Sequence, residues 1–196
     1  MSKGAHTDAV SDERMERFAA GMMANRCGVH GPYASGEALS VGVAVAAERA
    51  EGGSVAFGVG DELIVALDIE AQLVAAGAVP LRSDSPHWAD ALATAGAGLT
   101  GSVLACSDRA VVAVTSGIGR PRATSLLPPA HVCVVRASTI VDSFAAALEL
   151  LVVTDPLPSA VMWIGGPSRT GDLEMKTTWG VHGPRTVDIV IADDRT

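Results

Sequence analysis

Two polar segments near the end of the chain hold most of the groups that could grip an anion. They are Gly166-Pro167-Ser168-Arg169-Thr170-Gly171-Asp172-Leu173-Glu174 and Gly180-Val181-His182-Gly183-Pro184-Arg185. Ser168 and Thr170 offer hydroxyls, and Arg169 offers a forked guanidinium that suits carboxylate or phosphate. Apolar runs flank the pair, Ala160-Val161-Met162-Trp163-Ile164 before it and Val187-Asp188-Ile189-Val190-Ile191 after it. The pattern predicts strand, glycine loop, short helix, glycine loop, strand. Open α/β sheets place ligands at the carboxyl ends of strands, and a helix start there presents free N–H groups to negative charge. The candidate ligand-binding residues are Gly166, Pro167, Ser168, Arg169, Thr170, Asp172, Gly180 and Gly183.

Each of these residues also has a purely structural reading. Ser168 and Thr170 could cap a helix start and do nothing else, a role worth about 1 kcal/mol. Arg169 could pair with Asp172 or Glu174 across one helical turn. Asp172 and Glu174, two positions apart, diverge on a helix and do not form an acid/base pair. Asp172 suits the electrostatics of a helix start. His182 in its glycine turn could donate, accept or simply bond a neighbouring carbonyl. Arg120 and Arg122, in the Gly/Pro-rich stretch 117–129, read as solvated surface or as an anion funnel, and their setting favours surface. Ser125 and Pro128-Pro129 read as shaping the entry to the strand at His131.

The elements that must position these groups follow from periodicity. Residues 1–10 are small and polar without a period and are expected to be disordered; residues 11–196 form a single domain. Met15, Phe18, Met22 and Met23 lie at helical spacing, closed by Gly28. A strand through Val29–Tyr33, an alanine-rich helix through Ala38–Glu51 and a strand through Ser54–Val59 follow. Leu67–Ala76 reads as a helix stopped by Gly77, Val79–Leu81 as a strand, and Ser85-Pro86 as a helix start that turns Trp88 and Leu92 inward. Ala110–Thr115 and His131–Val135 are β-branched runs suited to buried central strands. Thr139-Ile140-Val141-Asp142 resembles a capping box ahead of the stripe Ile140, Phe144, Leu148, Leu151. Strands alternate with helices, which argues for a three-layer α/β domain, Rossmann-like, with a mostly parallel sheet.

Composition narrows the function classes. The chain has 196 residues, 48% hydrophobic and 18% charged, enough for one domain with a real core. A net charge of −8 argues against wrapping nucleic acid, which needs clustered Lys and Arg. No apolar run is long enough to cross a membrane, and the first residues lack the pattern of a signal peptide, so a cytoplasmic protein is expected. Cys27, Cys106 and Cys133 are widely spaced without a Cys-x-x-Cys, so no zinc ribbon or iron–sulfur cluster of its own is expected. His6, His30, His87 and His131 are scattered, and no metal site is expected. There is no Gly-x-Ser-x-Gly elbow, Walker loop or Gly-x-Gly-x-x-Gly fingerprint.

The glycine segments carry a family resemblance. Ile164–Glu174 together with Gly180–Pro184 resembles the C-terminal signature of the lactate-utilisation (LUD) domain family. Arg122-Ala123-Thr124-Ser125-Leu126-Leu127-Pro128-Pro129-Ala130-His131 resembles the loop before that family's central strand, and Ala97–Ser102 is a third match. The matches keep their order across the C-terminal half. The resemblance implies a NagB/RpiA/CoA transferase-like fold and a part in oxidising L-lactate, or a related organic acid, to pyruvate. It implies iron–sulfur partner subunits that carry the redox centre, with this chain a non-redox subunit rather than a complete enzyme. One departure stands out. Where family members have Ala-Asp/Glu-Thr-Gly-Thr, the aligned residues here are Ser107-Asp108-Arg109-Ala110-Val111.

Asp108 survives in that stretch and, with His182, is the candidate catalytic residue. Two rivals from other classes stay open. One is a stand-alone CoA transferase-like or sugar-phosphate isomerase-like enzyme with Asp108 as base or nucleophile, an analogy of fold alone. The other is a ligand-sensing or assembly module without chemistry, which the lost Thr-Gly-Thr favours. The sequence leaves a homo-oligomer open.

Overall fold

The computed structural model describes residues 3–65, 68–171 and 177–195. Helix α1 (Lys3–Ala24) leads into strand β1 (Gly28–Ala34), and α2 (Ser35–Ala50) into β2 (Ser54–Phe57). Then come α3 (Glu62–Val65), α4 (Ile69–Ala75), β3 (Val79–Arg82), α5 (Trp88–Leu92) and β4 (Ala97–Gly101). Next are β5 (Leu104–Cys106), β6 (Val111–Ser116), β7 (Ala130–Arg136), β8 (Ile140–Val141) and α6 (Phe144–Val152). The chain ends with β9 (Ala160–Ile164), β10 (Arg169–Gly171), β11 (Thr177–Trp179) and β12 (Thr186–Asp193).

The central sheet has six strands in the order β1-β12-β7-β4-β2-β3, and every pairing is parallel. A parallel sheet covered on both faces needs strands that are apolar on both faces. β12 meets that demand: Val187, Ile189 and Ile191 enter one core cluster, Val190 and Ala192 the other. On the first face α2 packs Leu39, Val43, Ala46 and Ala47 against Val132, Val134 and Val190. Its many alanines bring helix and sheet close together.

The second face is covered by α1 and by a separate four-stranded sheet, β8-β5-β6-β9. Phe18 and Met22 of α1 are fully buried there with Val112, Cys133, Val135 and Ile189. Burying each of those two side chains contributes roughly 1.5–3 kcal/mol. The domain is thus mixed α/β around a parallel sheet, as expected, with one outer layer that is largely sheet.

Several local expectations are corrected. The run Ala110–Thr115 is buried as predicted, but β6 pairs antiparallel with β5 and β9 and lies outside the central sheet. An apolar run reports burial and carries no information on partner direction. The helix expected from Thr139 begins later. Ile140 and Val141 pair with Ala105 and Cys106, and Ser143 caps α6 by accepting from the Ala146 N–H at 3.2 Å. Among the described residues no helix starts after Gly166: Arg169–Gly171 pairs antiparallel with Thr177–Trp179. Thr170, Thr177 and Thr178 are β-branched and favour that extended form. The α1 backbone runs from Lys3, inside the stretch 1–10 that showed no period.

Candidate functional site

The parallel strands β2, β4 and β7 all point their carboxyl ends at one cleft of about 790 Å³, lined by Asp61, Ser102, Thr115, Arg120, Arg136 and Ser159 among others. Asp61 follows β2 and starts α3. Its Oδ2 accepts from the Gly101 N–H at 2.8 Å, tying the β2 exit to the end of β4. Burial pushes the Asp61 carboxyl up, while the Gly101, Ile64 and Leu63 N–H groups and the Arg120 charge pull the other way. Ser102 continues β4; its N–H donates to Val134 at 2.9 Å, and the residue is only 4% exposed.

Arg120 comes from the loop after β6. Gly117 and Arg120 exchange backbone hydrogen bonds of 3.1 and 3.0 Å, closing a tight turn. That turn is clamped to the β2 exit: Gly60 N–H donates to Gly119 at 3.0 Å, and the Ser83 hydroxyl donates to the same carbonyl at 3.1 Å. Gly119 has φ +69°, and a β-carbon on Gly60 would overlap the Ile118 carbonyl, so both positions require glycine. The clamp holds the Arg120 side chain against the cleft. Its Nε is buried without a hydrogen-bond partner, and so is Ser102 Oγ, whose polar neighbour is the Cys133 thiol. Buried donors left unpaired in this way are rare and each costs about 1–3 kcal/mol. The sequence had offered Arg120 as surface or funnel. Only the glycine clamp, a contact distant in sequence, decides for the cleft.

Behind the cleft lies a polar seam. Thr100, Thr115, Arg120 and Thr124 line a small recess beside it. Thr100 Oγ1 and His131 Nε2 lie 2.8 Å apart, and His131 is fully buried. Burial drops the His131 pKa from 6.5 to about 4, against an opposing pull from Asp188. His131 is therefore neutral at pH 7. Asp188 itself is buried in β12 and accepts from Arg49 at 2.8 and 3.0 Å, with His30 Nε2 at 3.0 Å. Sequence reasoning passed over Asp188. A single acid inside an apolar run that continues on both sides was its one signal.

The glycine segments are brought together, at the other end of the sheet. Ser168 N–H donates to Pro184 and Gly180 N–H donates to Ser168, both at 2.8 Å. Arg185 N–H donates to Pro129, next to the paired first residues of β7 and β12. Gly166, Pro167 and Arg169 line a hollow of about 400 Å³ with Asn25 and Arg109. Gly180, His182 and Gly183 line a separate one of about 370 Å³ with Leu126, Leu127 and Arg185. The strand expected to feed the site, β9, belongs to the antiparallel sheet, which is why its exit meets the amino ends of the parallel strands. Asp172 lies outside the described residues, and of Thr170 the backbone alone is described. Asp108 sits in neither hollow. Its Oδ1 accepts from the Phe144 N–H at 3.1 Å, which makes it a cap for α6. The structure does not bring Asp108 and His182 together.

Cys27, Cys106 and Cys133 are buried free thiols, and burial raises the pKa of each. Among the described residues no group of three or more His, Cys, Asp or Glu is placed to hold a metal, and no helix is long and apolar enough to cross a membrane.

Comparison with known proteins agrees with this architecture. A crystal structure of a DUF162 family protein from Deinococcus radiodurans superposes with a TM-score of 0.62 at 23% identity, covering 93% of this chain and 98% of that one. The lactate utilization protein C of Deinococcus radiodurans is 32% identical over 143 residues, 71% of this chain and 67% of that protein. The protein of the same name from Macrococcus caseolyticus is 32% identical over 105 residues, 52% of this chain and 46% of its own length. The chain thus matches about half the length of that relative. The LUD domain model matches residues 23–192, from the end of α1 to the end of β12. This chain belongs to the LUD domain family.

Proposed function

We propose that this chain serves the cytoplasmic utilisation of lactate or a related organic acid, as a non-redox component that works beside iron–sulfur partner proteins. The relatives named lactate utilization protein C support the role. Within it, the chain binds the carboxylate of an organic acid in the cleft at the ends of β2, β4 and β7. The observation that carries this reading is that two residues lining the cleft, Arg120 and Ser102, each hold a buried donor without a hydrogen-bond partner, Nε and Oγ. A carboxylate accepts from both and receives charge-assisted hydrogen bonds from the guanidinium. Asp61 is occupied by backbone N–H groups and serves to hold the β2 exit in place.

Titration calorimetry with short organic acids, lactate and pyruvate included, tests the reading. Arg120→Ala removes a charged hydrogen bond worth about 1.5–3 kcal/mol, so the dissociation constant rises roughly 10- to 150-fold. A second reading places the anion at the glycine loops, where Arg109 and Arg169 flank the hollow at Gly166. Loss of binding in Arg169→Ala with full binding in Arg120→Ala would decide for that site.

A further inference from the structure

One turn gives the cleft two unlike kinds of lining. Arg120 reaches the polar wall with Ser102, while Ile118, two residues earlier, projects from the same turn with its side chain 100% exposed. In the same lining Leu157 is 67% exposed, between Pro156 and Pro158. Because Gly119 is clamped to Gly60, neither end of the turn is free to move apart from the other. The volume of about 790 Å³ lies within the range of roughly 300–1,000 Å³ typical of small-molecule sites. A three-carbon acid would leave most of it to water.

We infer that the cleft takes a monocarboxylate with an extended apolar body, its head on Arg120 and Ser102 and its chain covering Ile118 and Leu157. This rests on the reading that a carboxylate binds at Arg120, and it names the class of acid. A lining that offers both a guanidinium and exposed apolar side chains is what an amphipathic anion matches. The negative groups at the opening are Asp61, turned to the Gly101 N–H, and Glu62; Arg120 and Arg136 oppose them.

Titration calorimetry of the full chain with lactate, butanoate, hexanoate, octanoate and octylamine tests the inference. Each methylene that reaches the rim raises affinity about three- to fourfold, so octanoate binds far more tightly than butanoate. The double variant Ile118→Ser/Leu157→Ser changes exposed side chains only and flattens that slope. Arg120→Ala lowers all the carboxylates by one common factor. Carboxylates binding with no dependence on chain length would overturn the inference and leave the carboxylate site standing. Absence of binding by any carboxylate, or equal binding of octylamine, would overturn the site together with the inference.

Discussion

Between pH 7 and pH 4 the protein is expected to lose about 3 kcal/mol of stability through one residue, His131. The argument is linkage. In the unfolded chain His131 titrates near 6.5, and in the fold burial lowers that to about 4. A histidine with a lowered folded pKa gives stability that is fully present above 6.5 and is lost as pH falls toward 4, because the unfolded state then binds the extra proton. The gap between the two values, at about 1.4 kcal/mol for each pH step, sets the size. His131 is fully buried beside Thr100, so solvent does not screen the effect. Urea unfolding of the native protein and of His131→Gln at pH 7, 5.5 and 4 measures it. Gln keeps a polar group for Thr100 and removes the titration. The variant's stability should change by roughly 3 kcal/mol less across that range. Parallel acid limbs in the two proteins would refute the assignment.

The second large effect belongs to Asp188. Asp188→Ala is expected to lower stability by about 2–4 kcal/mol at pH 7. The carboxylate is 1% exposed and receives two hydrogen bonds from Arg49 and one contact from His30. Breaking a fully buried pair costs about 3–5 kcal/mol. Here Arg49 and His30 are 38% and 31% exposed and can rehydrate, which places the effect at the lower end. Burial raises the Asp188 pKa, but the bonds from Arg49 and His30 outweigh it and carry the group below the usual carboxylate range. Its contribution is therefore present above about pH 4 and lost below, a window separate from that of His131. Gly28 makes room for this carboxylate, since a β-carbon there would overlap Asp188 Oδ1. Gly28→Ala and Asp188→Ala should therefore be strongly non-additive in denaturant unfolding, because the second change removes the clash created by the first. Simple additivity would argue against the contact.

The parallel sheet was legible because its demand on sequence is strong. Strands covered on both faces must be apolar along most of their length, and Val132–Val135 and Val187–Ile191, Asp188 apart, read that way. The alanine helix and its glycine stop were legible for a local reason, as were Met15, Phe18 and Met22, while Met23, read with them, is exposed. What stayed hidden depends on contacts between distant segments. β6 has the composition of a central strand, and its place in the antiparallel sheet is settled by Trp163 and Met162 across from Ala113 and Val114. The glycine loop after β9 has the chemistry of a helix start, but its residues Arg169–Gly171 are extended and pair with Thr177–Trp179. The candidate site divides the same way. Ser168 and Gly180 do meet, at the amino ends of the strands, while the carboxyl-end cleft is assembled by Asp61, Ser102 and Arg120 from three loops. No local spacing announces such a group.

The central claim is that an organic carboxylate binds at Arg120 and Ser102. Crystals soaked in 6-bromohexanoate test it most directly, since bromine marks the ligand by anomalous scattering. The account predicts the carboxylate within hydrogen-bond distance of Arg120 Nε and Ser102 Oγ, with bromine toward Ile118 and Leu157. Bromine at the Gly166–Arg169 hollow, or an unoccupied cleft at saturating ligand, would contradict it.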